Sequence, residues 1–291
     1  MAPTVASLIY VFFLLLVTAV WGWTFVLVKD AISQYPTLPF LALRFLLAFV
    51  VMVILVRRLP TRRELWVGAI AGAVLAGGYL TQTVGLSITS PGNSGLITGL
   101  FVVFTPLIDR VFGTPLHRWT VIAVIGALVG TVMLVGGPAG FGLGDLLTVA
   151  CAALYALHIV LLSRWSPGLR SAPLAMVQMG MSALIFTGGG AFQWRAGMPS
   201  PYVWFAIIVT GVFASALAYY IQTWAQQHLS ASRTAVILTT EPAWALVAAV
   251  VLAGQRFSAL QAAGALVMLS SIVGHELAHL KFNPHGGKAP T

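Results

Sequence analysis

The chain has 291 residues, 59% of them hydrophobic and only 7% charged, with a mean hydropathy of +0.96. Soluble chains carry about 25% charged residues, so too little polar surface remains here to face water, and a soluble protein is excluded. At about 20 residues per spanning helix the chain holds roughly ten spans, with no room for a separate enzymatic domain.

The basic excess, 15 Lys and Arg against 6 Asp and Glu, would suggest nucleic acid in a soluble protein. In a membrane protein it reads as loop charge that orients helices, and no nucleic-acid partner is expected. The single cysteine, Cys151, lies inside an apolar run and excludes an internal disulfide. Residues 1–7 carry no Lys or Arg ahead of the first apolar stretch, so that stretch is expected to persist as a span rather than be cleaved as a signal peptide.

In chain order, apolar windows predict spans near 8–28, 38–56, 65–88, 93–112 and 118–137. A second set follows near 144–163, 171–192, 201–224, 234–253 and 259–279. Short connections rich in Pro and Gly, at 34–39, 90–92 and 136–138, read as turns at a membrane surface. With the N-terminus inside, eleven loop Lys and Arg face the cytoplasm: Arg57, Arg58, Arg62, Arg63, Arg110, Arg118, Arg164, Arg170, Arg233, Lys281 and Lys288. Only Lys29, Arg195 and Arg256 face outward, so both termini are expected in the cytoplasm.

The two sets of five resemble each other. Residues 20–29, VWGWTFVLVK, match 154–163, LYALHIVLLS, at a shift of 134, which also places Pro39 on Pro173 and Arg44 on Gln178. Tyr79, Gln82 and Thr83 match Tyr219, Gln222 and Thr223 at 140; Pro106 matches Pro242 at 136; GALV recurs at 126–129 and 264–267. Five matches in chain order at nearly constant offset indicate duplication. An odd number of helices per half starts the second half on the opposite side, which gives an inverted repeat, a plan of secondary transporters with the substrate site near the midplane. The expected fold is all-α, ten transmembrane helices in two five-helix inverted repeats, 1–140 and 141–280, with a cytoplasmic tail at 281–291.

Trp21, Gly22, Thr24 and Phe25 in the first span, Pro39 with Arg44 and Phe45 in the second, and Glu241 with Pro242 in the ninth resemble the EamA-type transporters of the drug/metabolite transporter superfamily. Gly254, Gln255 and Arg256 are similar to that family's Gly-Glu-Arg with the carboxylate missing, so no role for that acid carries over. Within the family the chain looks most like the bacterial amino-acid exporters, in particular the YddG-type aromatic amino-acid exporter. The resemblance implies a multi-pass protein of the bacterial inner membrane.

Ionisable groups inside a span are costly and mark candidate sites. Arg44, two turns into the second span, either attracts a substrate carboxylate or anchors helix-end carbonyls. Glu241 lies eight residues beyond Arg233, about 12 Å along a helix and hence near the midplane, beside a kink expected at Pro242. It is a candidate for proton coupling, or a neutral acid that satisfies a freed carbonyl. His158 is a candidate of the same kind or a hydrogen-bonded packing residue.

Trp21, Trp23, Tyr79, Phe101, Tyr155, Tyr219 and Trp244 gather at midspan, too deep for an interfacial belt in the case of Trp21, Trp23 and Tyr155. Their N–H and O–H groups need partners, which a polar cavity supplies. Gln82 and Gln222 recur beside Tyr79 and Tyr219 on one helical face, either as a substrate's hydrogen-bonding ring or as glue between helices. His275, Glu276 and His279 complete an H-E-x-x-H pattern, but it lies at the end of the last span, and only His285 in the tail could add a third zinc ligand.

These readings converge on an exporter of small neutral or zwitterionic metabolites, amino acids including aromatic ones, that needs no cofactor or metal and works as a monomer in the bilayer. Phosphorylated substrates would call for several midplane cations where only Arg44 and Lys29 qualify. The alternatives are a drug or other metabolite exporter of the same fold and, remotely, an intramembrane zinc protease.

Overall fold

A computed structural model describes residues 3–89, 91–135, 142–190, 197–241, 243, 244, 247, 248, 251 and 258–282. Among them the chain is all-helical. Its helices are α1 (Pro3–Gln34), α2 (Thr37–Leu55), α3 (Arg62–Ile88), α4 (Pro91–Thr98), α5 (Phe101–Val111), α6 (Arg118–Val135) and α7 (Leu143–Trp165). There follow α8 (Ser171–Gly190), α9 (Pro201–Gly211), a π-helical segment (Val212–Leu217), α10 (Ala218–Gln226), α11 (Ala231–Leu238) and α12 (Ala259–Phe282). Among the described residues, six helical stretches are long and apolar enough to cross a membrane: 8–34, 37–55, 62–88, 143–165, 171–189 and 201–226.

Local sequence explains where these helices start. The Thr61 side chain accepts from Glu64 N, and the Glu64 side chain accepts from Thr61 N, which closes a capping box at α3. Ser200 and Ser230 cap α9 and α11. The turn expected at 34–39 ends sooner than its two prolines suggest. Helix α2 begins at Thr37 and takes Pro39 into its first turn, where no helical hydrogen bond is lost. Likewise α4 begins at Pro91, inside the connection expected at 90–92. The 136–138 connection, the kink at Pro242, residues 254–256 and the tail from 283 lie outside the described residues.

The expected fourth and ninth spans are both interrupted. Helix α4 ends before Gly99 and Leu100, and α5 starts at Phe101. Helix α11 ends at Leu238, Thr239 and Thr240 form a turn, and helical geometry resumes at Glu241. The two breaks lie 140 residues apart, the same offset that relates Tyr79 to Tyr219. Broken helices at corresponding positions of two halves are a mark of transporter binding sites; here the chain stays bonded through both breaks, Phe104 N to the Leu100 carbonyl in one and Trp244 N to the Thr240 carbonyl in the other.

Helix α3 packs on α7 and α8, α2 on α8, and α6 on α12. Small residues permit the closest approach: a Cβ at Gly85 would fall 2.7 Å from the Gly144 carbonyl oxygen, so α3 and α7 can touch there only as glycines. The buried apolar residues form two large clusters. One centres on Phe40, Phe45, Met52, Leu75, Met179 and Phe186, the other on Leu14, Val102, Val160, Ile237 and Met268. Each draws on both halves of the chain, and the rings of Trp21 and Tyr155 pack against both.

Candidate functional site

A cavity lies along the seam between the two clusters, with Trp21, Phe25, Arg44, Tyr79, Gln82 and Phe101 on the side of the first half. Tyr155, His158, Ile159, Tyr219, Gln222 and Glu241 face it from the second. The cavity volume is about 60 Å³, enough for about four waters and too little for an amino acid until side chains or helices move.

Arg44 is buried and held firmly. Its Nε donates to Ser215 Oγ at 2.8 Å, and Nη2 donates to Tyr79 OH at 3.1 Å and to the Ala214 carbonyl at 3.5 Å. Its guanidinium carbon also stands 4.6 Å from the centre of the Tyr79 ring, a cation–π arrangement. The Ala214 carbonyl takes a second donor, Trp21 Nε1, at 2.9 Å. Ala214 and Ser215 both belong to the π-helical segment, and such segments release carbonyls from the helical ladder and recur at functional sites. The anchoring role expected for Arg44 is therefore present, and Nη1 still makes no hydrogen bond among the described residues.

The aromatic wall is continuous. Tyr219 OH donates to Tyr79 OH at 3.1 Å, and the ring centroids of Tyr79 and Tyr155 lie 5.7 Å apart, those of Trp21 and Tyr219 5.5 Å apart. Tyr155 OH donates to Gln82 Oε1 at 3.0 Å, while Gln82 Nε2 donates to Thr98 Oγ1 at the end of α4. Gly78 makes room for that ring, since a Cβ there would land on its edge. In the second half, Gln222 Nε2 donates to Gln226 Oε1 and leaves Oε1 buried without a partner. His158 Nε2 pairs with Gln178 Oε1 at 2.8 Å, and Gln178 Nε2 donates to Thr223 Oγ1. His158 thus has the packing partner that its alternative reading requires, while its ring edge still faces Tyr219. Glu241 is 9% exposed, and its carboxylate makes no hydrogen bond or ion pair among the described residues.

Two expected members do not join them. Trp23 is 39% exposed and points away from the cavity. Two residues after Trp21 the helix has turned about 200°, so both rings cannot face one side. Trp244 is half-buried and does not line the cavity, although it follows Glu241 by nearly one turn. Sequence reasoning missed Thr24, Phe25 and Ile159, although the 134-residue shift pairs Thr24 with His158 and Phe25 with Ile159.

At the H-E-x-x-H pattern, His275 is buried with Nε2 3.4 Å from Thr120 Oγ1; the Glu276 and His279 side chains lie outside the described ones. No group of three potential metal ligands occurs among the described residues.

The sequence model of the EamA-like transporter family matches the chain twice, over residues 8–136 and 142–275. The chain belongs to this family. An uncharacterized transporter of Archaeoglobus fulgidus is 29% identical over 261 residues, covering 89% of this chain and 83% of its own length. One crystal structure superimposes with a TM-score of 0.79 across 96% of this chain and 99% of the other at 20% identity, a likeness of fold. Membership of a family of membrane transporters accounts for the long apolar helices and for buried polar groups that face a cavity.

Proposed function

We propose that this EamA-family chain is a ten-span secondary transporter of two inverted five-helix halves that exports small neutral or zwitterionic metabolites, amino acids including aromatic ones, by alternating access. In this reading it is a monomer of the bacterial inner membrane with both termini cytoplasmic, closest in specificity to a YddG-type aromatic amino-acid exporter. The observation that carries it is the cavity itself: Tyr79 and Gln82 meet their counterparts Tyr219 and Gln222 around one polar, aromatic-walled space. Burying these polar tips against lipid would leave them unpaired in hydrocarbon, whereas around the cavity they bond one another and their neighbours, and Gln222 Oε1 faces a ligand passing between the clusters. The two clusters, each built from both halves, are the bodies that would rock about the site.

Two measurements test it together. Liposomes containing only this protein should release preloaded phenylalanine and alanine, assayed with and without a pH gradient. Cysteine at position 62 in a Cys151→Ala background should resist an external membrane-impermeant label in cells. Release no faster than from empty liposomes across an amino-acid panel overturns the substrate class, and external labelling overturns the orientation.

A further inference from the structure

The cavity has a nearly symmetric frame with an asymmetric charge pattern. Six pairs related by the 134- or 140-residue shift line it from both sides: Trp21 with Tyr155, Thr24 with His158, Phe25 with Ile159, Tyr79 with Tyr219, Gln82 with Gln222, and Phe101 with Glu241. The last pair is the informative one. Phe101 and Glu241 each open the helical stretch after a break, one with a ring and the other with a carboxylate. The reverse asymmetry holds at Arg44, whose counterpart Gln178 is tied to His158. Among the described residues that line the cavity, the arginine comes from the first half and the carboxylate from the second.

These two charges are not partners. No ion pair joins Arg44 to Glu241, whereas Arg164 pairs with Asp109 and Arg170 with Glu64. Arg44 has spent Nε and Nη2 on Ser215, Tyr79 and Ala214 and keeps Nη1 free. Glu241 is buried, lines the cavity and lacks any partner there. Arg44 also belongs to the helix that supplies Phe40 and Phe45 to one cluster, while Glu241 follows the helix that supplies Val236 and Ile237 to the other.

We infer that the ligand bridges the seam as a zwitterion, its anionic group on Arg44 Nη1 and its cationic group on Glu241. A ligand with one charge leaves the opposite residue buried and uncompensated, which is strongly unfavourable. A zwitterion covers both and, because the two residues stand on different clusters, draws the clusters together as it binds. The aromatic walls then receive the remaining side chain.

This inference rests on the transport reading of the same cavity, so its test uses binding rather than flux. Full-length protein in lipid nanodiscs is titrated with phenylalanine, with phenethylamine as the cation alone and with 3-phenylpropanoate as the anion alone, followed by calorimetry. Phenylalanine should bind at least tenfold tighter than either analogue. Glu241→Gln should erase the preference over 3-phenylpropanoate and keep that over phenethylamine; Arg44→Gln should do the reverse. Arg44→Lys and Glu241→Asp, which keep the charges, should retain both preferences and separate charge from folding. Equal affinity of all three ligands for the unaltered protein, no binding of any, or loss by both Gln variants of all ligands alike would overturn the assignment. Failure of flux with the binding pattern intact would sink the transport reading and leave the charge assignment standing.

Discussion

Two sets of charges in this molecule are handled in opposite ways. At the end rich in Arg, Arg164 reaches Asp109 at 2.7 Å and also bonds Thr114, while Arg170 makes three hydrogen bonds to the Glu64 carboxylate and one to the Leu59 carbonyl. The Glu64 carboxylate pushes the Arg170 guanidinium above its usual range. One pair joins α5 to α7, and the other joins the start of α3 to the segment before α8, beside a small apolar cluster of Ala71, Leu162 and Leu174. These contacts hold a body together. In the cavity, Arg44 and Glu241 stand on different clusters and do not meet. Charges at the ends are consumed by structure; at the centre Arg44 is only partly spent, on Ser215, Tyr79 and Ala214, and its remaining nitrogen and the Glu241 carboxylate are the groups assigned above to the ligand.

The contrast is broken most sharply by neutralising one charge of each kind. Arg44→Leu should weaken phenylalanine binding by about 10- to 150-fold, since a charge-assisted hydrogen bond is worth about 1.5–3 kcal/mol and the anion would meet apolar surface instead. Glu64→Gln should instead cost stability, about 1–3 kcal/mol for the weakened bonds to Arg170, and leave the affinity within about twofold. Calorimetric titration and thermal unfolding of both variants in the same nanodiscs decide it. A large affinity loss in Glu64→Gln without unfolding would erase the distinction between structural and cavity charges.

A smaller effect sharpens the same picture along the cavity wall. Gln82 accepts from Tyr155 and donates to Thr98 at the break between α4 and α5, so it lies where a ligand's polar backbone would compete for both groups. Gln82→Leu removes these groups with little change in volume. Phenylalanine and alanine binding should both fall, by roughly tenfold and about equally, because the two ligands share the backbone that Gln82 would read. An unequal loss would assign Gln82 to side-chain selection.

Much of this arrangement was legible in the sequence. Apolar windows locate the helices, and the recurrence of Tyr, Gln and Thr at a shift of 140 pairs Tyr79 with Tyr219 and Gln82 with Gln222, all four of which line the cavity. What periodicity could not show was the break at Gly99 and Leu100 or at Thr239 and Thr240, because a turn inside an apolar run keeps the mean hydropathy of a span. The π-helical segment was equally invisible: Val212–Leu217 carries no residue that signals it, and it forms where Trp21 and Arg44 share one released carbonyl. The direction of individual rings depends on helical phase, and reading depth alone put Trp23 inside.

The smallest expected effect tests that phase. Trp21 packs against both clusters and donates to Ala214 across the seam, whereas Trp23, on the same helix, is 39% exposed on the outer face. Removing the inner ring takes away apolar contact with a bound aromatic side chain, worth up to about 2 kcal/mol, and frees the Ala214 carbonyl. Trp21→Ala should therefore weaken phenylalanine binding more than alanine binding, by about tenfold or more. Removing the outer ring touches only the surroundings of the protein, so Trp23→Ala should change the affinity for either ligand by less than about twofold, within the ±0.5 kcal/mol ordinary for exposed positions. The paired substitutions differ only in which side of one helix they strip. A selective loss of phenylalanine affinity in Trp23→Ala, with Trp21→Ala unaffected, would place the ligand on the opposite face of α1 and move the site out of the seam.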